Sequence, residues 1–316
     1  MADSPLVSVL MPCYRESAAE FSEALDSILK QTYTRIEVVV IFDDPDNKTL
    51  YEIARGRVAS DSRIRLVKNE RNLGLSAALD RGFNASNGEY ICRMDSDDVS
   101  EGNRIERQLA YLKENDLDLV GSYLNAIDED GELLYLVDTI PSASGLVERS
   151  LKIRNCVPHP SWFGKRVVFE LGYRPVPLAE DYDLLLRAEL RGFSIGNVPE
   201  PLIRYRMTKN SISRSNLYDQ YLVSRILSSA YKKGYALDAV EISERVSSRS
   251  GTRARTNYLK ANECFNNGMQ MLHSGNLLRG LSQLVRILFC SGAYCRNLLN
   301  MIRVVAIKTR EKPLPR

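Results

Sequence analysis

The chain has 316 residues, 44% of them hydrophobic, and a formal net charge of +3. That apolar content supports one large domain or two smaller ones and excludes a disordered chain. The charge is too small to point to nucleic acid, and no basic patch interleaved with aromatics occurs in the first two hundred residues. Cys13, Cys92, Cys156, Cys264, Cys290 and Cys295 form no CxxC and no ligand-like spacing with His159 or His273, which fits free thiols in a reducing cytoplasm. The first residues carry Asp3 and no basic n-region, so secretion is not expected.

Leu6 to Met11 reads as a buried strand that stops at Pro12-Cys13-Tyr14-Arg15. Glu16 to Lys30 carries Phe21, Ala24, Leu25, Ile28 and Leu29 at helical spacing, so one face should pack on a sheet. Ile36 to Phe42 is a nearly continuous apolar strand ending in Asp43-Asp44. Strand, helix, strand with both strands buried predicts a parallel sheet and a right-handed crossover. A helix from Thr49 to Ser60, a strand from Ile64 to Lys68, a helix from Ser76 to Asn84 and a strand from Tyr90 to Met94 continue an α/β, doubly wound pattern.

The last of these strands delivers Asp95, Asp97 and Asp98 at its C-terminal end, where open α/β sheets place ligands. Three unpaired carboxylates repel one another unless something neutralises them. A hard divalent cation, Mg²⁺ or Mn²⁺, would do so and would point to a phosphate-bearing substrate. The other reading is a solvated turn in which Asp98 or Ser100 caps the next helix. Asp43-Asp44 sits at an equivalent strand end, where a carboxylate can accept a hydrogen bond from a base N–H. The turn Asn72-Leu73-Gly74-Leu75-Ser76 offers either a capped helix start, with Ser76 as N-cap, or a phosphate contact. Neither GxGxxG nor GxxxxGK[ST] is present, against a dinucleotide or P-loop site.

In order, Val7 to Tyr14, Glu37 to Asp44, Asn72-Leu73-Gly74, and Gly88-Glu89-Tyr90-Ile91 leading to Asp95-Ser96-Asp97-Asp98 resemble the motifs of family 2 glycosyltransferases. The likeness extends through Val157 to Ser161, Ala179 to Leu184 and Ile203 to Arg206, roughly two-thirds of the chain. It implies a GT-A fold, Rossmann-like with a mostly parallel sheet. It also implies an inverting transfer, aided by Mn²⁺ or Mg²⁺, from a nucleotide-sugar donor, a UDP-sugar, to a saccharide or polyprenyl-diphosphate-linked glycan in cell-surface polysaccharide biosynthesis. Carried over, Asp95 and Asp97 hold the metal and donor, Asp44 recognises the base, and Pro12, Tyr14, Asn72, Gly74 and Arg206 line the donor pocket. Asp181 is the general base beside Glu180, and Asp183 is a structural partner, to an arginine. Carboxylates at 180 and 181 are also ordinary in a helix's first turn.

Relatives commonly have a histidine soon after the Tyr-Arg pair, whereas Tyr205-Arg206-Met207-Thr208-Lys209 has none, so either Arg206, Lys209 or Arg214 neutralises the diphosphate or metal affinity is modest. His159, among prolines and aromatics, suits packing or the acceptor site better than a metal. From about Ser215 strands give way to helices, which divides the chain into residues 1–215, the transferase domain, and 216–316, a helical region in which residues 257–289 read as one tetratricopeptide-like hairpin or as a plain helical cap on the transferase domain. Residues 277–316 carry eight Lys or Arg against Glu311, and arginines interrupt the apolar run, so an interfacial amphipathic tail or a basic solvated surface is expected rather than a span. Leu298, Leu299, Ile302, Val305 and Ile307 would meet an anionic membrane, at the inner face of the cell membrane. A non-catalytic scaffold and a sugar nucleotidyltransferase are the competing readings; intact carboxylates count against the first, and the lack of a glycine-rich N-terminal loop against the second.

Overall fold

The computed structural model describes residues 4–208 and 216–311. Strand β1 (Val7–Cys13) lies between β2 (Ile36–Phe42) and β4 (Tyr90–Arg93), all parallel, and β3 (Ile64–Lys68) continues the sheet beyond β2. Both faces of this half are covered, which is why its inner strands read as continuous apolar runs. Val9, Met11, Val38, Val40 and Phe42 face one way, onto Phe21, Leu25 and Ile28 of α1 (Ala18–Leu29). Leu10, Val39 and Ile41 face the other, onto Ala78 and Leu79 of α3 (Leu75–Ala85). Each fully buried aliphatic side chain contributes about 1.5–3 kcal/mol. Ser17 and Glu20 close a capping box that fixes where α1 begins. Helix α2 (Lys48–Val58) joins β2 to β3.

The expected parallel sheet is the first half of a mixed one. Strand β8 (Phe163–Lys165) runs antiparallel to both β4 and β6 (Leu119–Ile127), and β6 runs parallel to β9 (Ile195–Arg206). The short β5 (Val99–Ser100) is antiparallel to β9, and β7 (Leu133–Val137) to β6. The order is β3-β2-β1-β4-β8-β6-β9-β5. β1 does not stop at Pro12, as its sequence predicts, but runs on to Cys13 with Pro12 opposite Ile41. Pairing with β4 ends at Leu10 opposite Arg93, so the missing proline N–H leaves no ladder bond unmade, and the Pro12 carbonyl accepts Ser96 Oγ at 2.8 Å.

Helices α4 (Arg104–Glu114), α5 (Ser144–Leu151), α6 (Arg166–Phe169) and α7 (Glu180–Leu190) pack on the sheet. From residue 216 every described element is helical: α8 (Leu217–Tyr231), α9 (Ala239–Ser247), α10 (Thr252–His273), α11 (Leu277–Cys290) and α12 (Gly292–Lys308). Val223, Ile226 and Leu227 of α8 share a core with Tyr182, Leu185 and Leu186 of α7. α10 and α11 form the expected hairpin, crossing closely where Gly268 and Gly280 oppose each other. The end of α12 is tied back to the sheet. Lys308 donates to Tyr123 Oη, and Glu311 Oε1 accepts from Ser142 N, Ser142 Oγ and Ala143 N at 2.8, 2.6 and 2.7 Å.

Gly88 fixes the start of β4, its N–H donating to the buried Ser8 Oγ at 2.7 Å. A Cβ there would lie 2.5 Å from Ser8 N and 2.9 Å from Leu6 O, both backbone atoms. Gly88→Ala should therefore destabilise the fold by about 1–3 kcal/mol, seen as an earlier urea midpoint; an unchanged midpoint would mean the backbone there yields freely.

Candidate active site

The parallel register brings the ends of β1, β2 and β4 to one edge, so Tyr14, Asp43-Asp44 and Asp95 to Asp98 leave the sheet side by side. Asp95, Asp97 and Asp98 each offer a carboxylate oxygen within 4.8 Å of the others. The solvated-turn alternative fails, because Asp98 and Ser100 are buried and α4 begins after Asn103. Asp98 Oδ1 accepts the Arg206 N–H at 2.8 Å while its Oδ2 is buried without a partner. Burial, with the charges of Asp95 and Glu16, pushes the Asp97 carboxyl up to about 7. Burial, with Asp95 and Asp97, pushes Asp98 well above the usual range. An all-oxygen set with an orphaned inner oxygen and carboxyls reluctant to ionise alone fits a hard divalent cation.

One arginine that sequence reasoning missed joins this cluster to the second carboxylate pair. Arg93 is 3% exposed and grips Asp95 with both terminal nitrogens, Nη1 to Oδ2 at 2.5 Å. Burial opposes its charge, but Asp95 and its other acidic neighbours more than offset that, and the guanidinium stays charged. Its field reaches Asp97, Asp98, Glu180 and Asp181. Glu180 and Asp181 open α7. Burial raises both carboxyls, and Glu180 adds to the rise of Asp181, which reaches about 7. Asp181 Oδ2 accepts from Asn155 Nδ2 at 2.7 Å, a second partner not foreseen, and Oδ1 from its neighbour Tyr182 N at 2.6 Å.

The remaining expected residues divide. Asp44 follows the end of β2, two strands from β4 and so ~10 Å across the sheet, partly exposed and bonded by Arg15 Nε at 3.0 Å, which with Asp46 N–H lowers its carboxyl pKa. Tyr14 is 37% exposed under the Arg15 guanidinium, 4.7 Å from ring centre. Asn72 and Gly74 face solvent in a turn held by Asp43, which accepts from Leu73 N and Gly74 N at 2.8 Å each and from Asn69 Nδ2 at 2.7 Å. Gly74, with φ +80°, and not Ser76, occupies the cap position of α3. α3 begins two residues earlier than a Ser76 cap would have it, and the Ala78 N–H already donates to the Gly74 carbonyl at 3.0 Å, so Ser76 lies inside the first turn.

Arg206 differs from its expected role. It is 4% exposed and spends its donors on protein: Asp97 O at 2.9 Å, Asp128 O at 3.3 Å, Glu129 O at 3.0 Å and Glu23 Oε2 at 2.7 Å. It supports the aspartate loop from beneath rather than facing a diphosphate. Lys209 and Arg214 lie outside the described residues. His159 packs edge-on to Trp162 and meets Tyr173 Oη at 2.8 Å; burial and Arg93 hold it well below its usual pKa, so it is neutral and not in the carboxylate cluster. Asp183 is buried between Arg174 and Arg187, the structural role expected of it. Arg104, also unforeseen, is fully buried and ties the carbonyls of Arg93, Pro160 and Trp162 together.

A parallel nucleotide-binding half joined to a mixed half, with an acidic loop at the junction, is the GT-A architecture of sugar-transferring enzymes. The chain belongs to glycosyl transferase family 2, whose sequence profile matches residues 8–172. It is a glycosyltransferase, which sets aside the scaffold and nucleotidyltransferase readings. It is 31% identical over 227 residues to an uncharacterised glycosyltransferase of Methanocaldococcus jannaschii, covering 69% of this chain and 78% of that protein. It is also 31% identical over 219 residues to the UDP-Gal:α-D-GlcNAc-diphosphoundecaprenol β-1,3-galactosyltransferase of Escherichia coli, covering 67% and 78%. In fold it is similar to S. aureus TarS 1–349, crystallised with UDP-GlcNAc, at a TM-score of 0.58 and 14% identity over 96% of this chain and 90% of that one.

The raised Asp97 carboxyl has a sign that can be tested. A group harder to ionise in the fold than in the unfolded chain costs stability as pH rises from the ordinary carboxylate range to its folded pKa, here about 7. In EDTA, Asp97→Asn should raise the melting temperature by on the order of a few degrees at pH 8 and by less at pH 5. Mn²⁺ should stabilise the parent protein and not the variant; a pH-independent gain would contradict the account.

Proposed function

We propose that this glycosyltransferase is an inverting, divalent-metal-dependent enzyme. In this reading it moves a sugar from a UDP-sugar to a saccharide or polyprenyl-diphosphate-linked glycan during cell-surface polysaccharide biosynthesis, on the cytoplasmic side of the cell membrane. The observation that carries the reading is the meeting of two carboxylate groups, Asp95-Asp97-Asp98 and Glu180-Asp181, around the buried guanidinium of Arg93. The E. coli relative, named for a UDP-galactose donor and a diphosphoundecaprenol-linked acceptor, and the TarS complex with UDP-GlcNAc support the choice of substrates. We take residues 1–215 as the transferase domain and 216–316 as its helical appendage.

Mn²⁺ or Mg²⁺, held by Asp95 and Asp97, would supply positive charge to the departing diphosphate. The chain's own residues do the rest. Asp44 accepts from the base, Tyr14 flanks it, Pro12 shapes the floor, and Asn72 and Gly74 border the phosphates. As the acceptor oxygen bonds to the anomeric carbon and the bond to the nucleoside diphosphate breaks, the hydroxyl proton passes to Asp181. Each Asp181 oxygen accepts one described hydrogen bond and so keeps a lone pair for that proton. A carboxyl near 7 is a stronger base than an ordinary aspartate, and Asn155 holds it in place.

Asp181→Asn should keep UDP affinity in Mn²⁺ and lower kcat by ~10²–10⁴-fold. In the parent enzyme kcat/KM should fall as pH drops through about 7, because the base must be unprotonated. An active Asp181→Asn beside an inactive Glu180→Gln would transfer the role to Glu180.

Among the described residues no helix is long and apolar enough to cross a membrane. The exposed apolar face lies less on α12 than expected. Leu299, Ile302 and Val305 are exposed, but Leu298 packs inward and Lys308 is bound to the sheet. α11 adds Leu278, Leu281, Val285, Leu288 and Phe289, with Leu278 and Phe289 each 85% exposed, interleaved with Arg279 and Arg286. This arrangement suits shallow insertion into an anionic surface. Leu278→Asp with Phe289→Asp should abolish co-sedimentation with phosphatidylglycerol-containing vesicles at low salt without altering thermal stability; equal binding to neutral phosphatidylcholine vesicles would rule out an electrostatic component.

A further inference from the structure

Away from the aspartate cleft, α8 and α12 enclose a pocket of about 450 Å³ whose walls carry Arg225, Lys232, Arg296 and Arg303 and no carboxylate. All four are exposed, and none makes an ion pair among the described residues. Elsewhere on this chain cations are commonly matched, as Arg255 is by Asp219 and Arg245 by Glu241. Four unmatched cations around one concavity repel one another, and their arrangement becomes favourable when an anion enters. Gly292, the first residue of the 17-residue α12, also lines the pocket and adds the positive end of that helix.

Two further features say what kind of anion. Leu299 lines the pocket while 52% exposed, and Ile302, one helical turn on, is 62% exposed, so the basic hollow has an apolar lip. Another part of the lining is close in sequence to the partner of Asp181. Ser228, in the pocket, donates to the Lys152 carbonyl at 2.8 Å; Ile153 lines the pocket; and Asn155, two residues on, holds Asp181. Two residues span at most ~7 Å between Cα atoms, about the length of one sugar ring with its linkages.

We propose that this pocket seats the diphosphate of a lipid-linked acceptor, with the prenyl chain leaving over Leu299 and Ile302 and the saccharide directed along residues 153–155 towards Asp181. This rests on the acceptor class argued above. It assigns the acceptor's phosphates to a site separate from the donor's, neutralised by arginine and lysine rather than by a metal.

The test uses the full chain and its Arg296→Gln, Arg303→Gln double variant, both substitutions being of exposed side chains. Farnesyl diphosphate, titrated calorimetrically in EDTA so that the aspartate cleft cannot chelate it through metal, should bind the parent saturably and the variant at least tenfold more weakly. UDP binding in Mn²⁺ should be equal in both. Absence of farnesyl diphosphate binding to the parent, or binding indifferent to the substitutions, overturns the proposal. So does loss of binding to phosphatidylglycerol vesicles with farnesyl diphosphate affinity intact, which would make these arginines headgroup contacts. Failure of the parent to bind UDP in Mn²⁺ would count against the donor assignment and leave the pocket's result standing.

Discussion

The cleft of this enzyme depends on how negative charge is held at the end of β4. Burying Asp97 and Asp98 beside Asp95 is unfavourable by itself, and the fold answers with three buried arginines doing three different things. Arg93 neutralises Asp95 directly. Arg206 fixes the loop through the Asp97 carbonyl and its own N–H to Asp98. Arg104 gathers carbonyls from β4 and the segment after Pro158, so the strand carrying the aspartates and the one entering β8 cannot separate. A planar guanidinium with five fixed donors suits all three tasks, and lysine would suit none of them equally. Left over is Asp98 Oδ2, buried and unpartnered, which makes the loop receptive to a cation.

The same economy appears at Asp181. Its carboxyl is kept basic by burial and by Glu180, and kept in place by Asn155, whose own Oδ1 accepts from Val157 N at 2.9 Å. That asparagine belongs to the segment fastened to α8 through Ser228 and Lys152. The helical region is thus connected mechanically to Asp181, the carboxylate proposed to take the proton.

Much of this was legible in the sequence, and the reason differs by element. β2 has the residues expected of it because it is covered on both faces and reads as one apolar run, and β3, an edge strand exposed at Arg65 and Lys68, because polar residues on either side bound its apolar centre. The three clustered aspartates declared themselves by being unreasonable without a partner. Local rules failed where distant residues intervened. Ser76 is a good cap by type, but the turn that Asp43 holds, more than thirty residues away in sequence, starts α3 at Leu75 and leaves Ser76 inside its first turn. Arg206 reads as a free cation in a Tyr-Arg motif, and only the pairing of β9 with β5 and β6 shows it turned beneath the loop. Arg93 was hidden because a charged residue inside an apolar strand carries no local sign of what it will face. Asn155 was hidden because its meaning depends on α7.

The tie between Glu311 and the start of α5 also bears on how the protein is made. Ala143 at the cap position of α5 has no side chain to cap with, and the amides of Ser142 and Ala143 that lead into the helix are held by the carboxylate of a residue translated 168 positions later. At ordinary elongation rates of about 5–20 residues per second, the ribosome needs on the order of ten to thirty seconds to cover that distance. During that interval the entry to a helix of the sugar-transferring half waits without its partner. Biosynthesis therefore imposes an order on maturation: the catalytic half reaches its final form only when α12 has emerged and docked, so nascent chains stalled short of it would be the natural prey of chaperones and proteases.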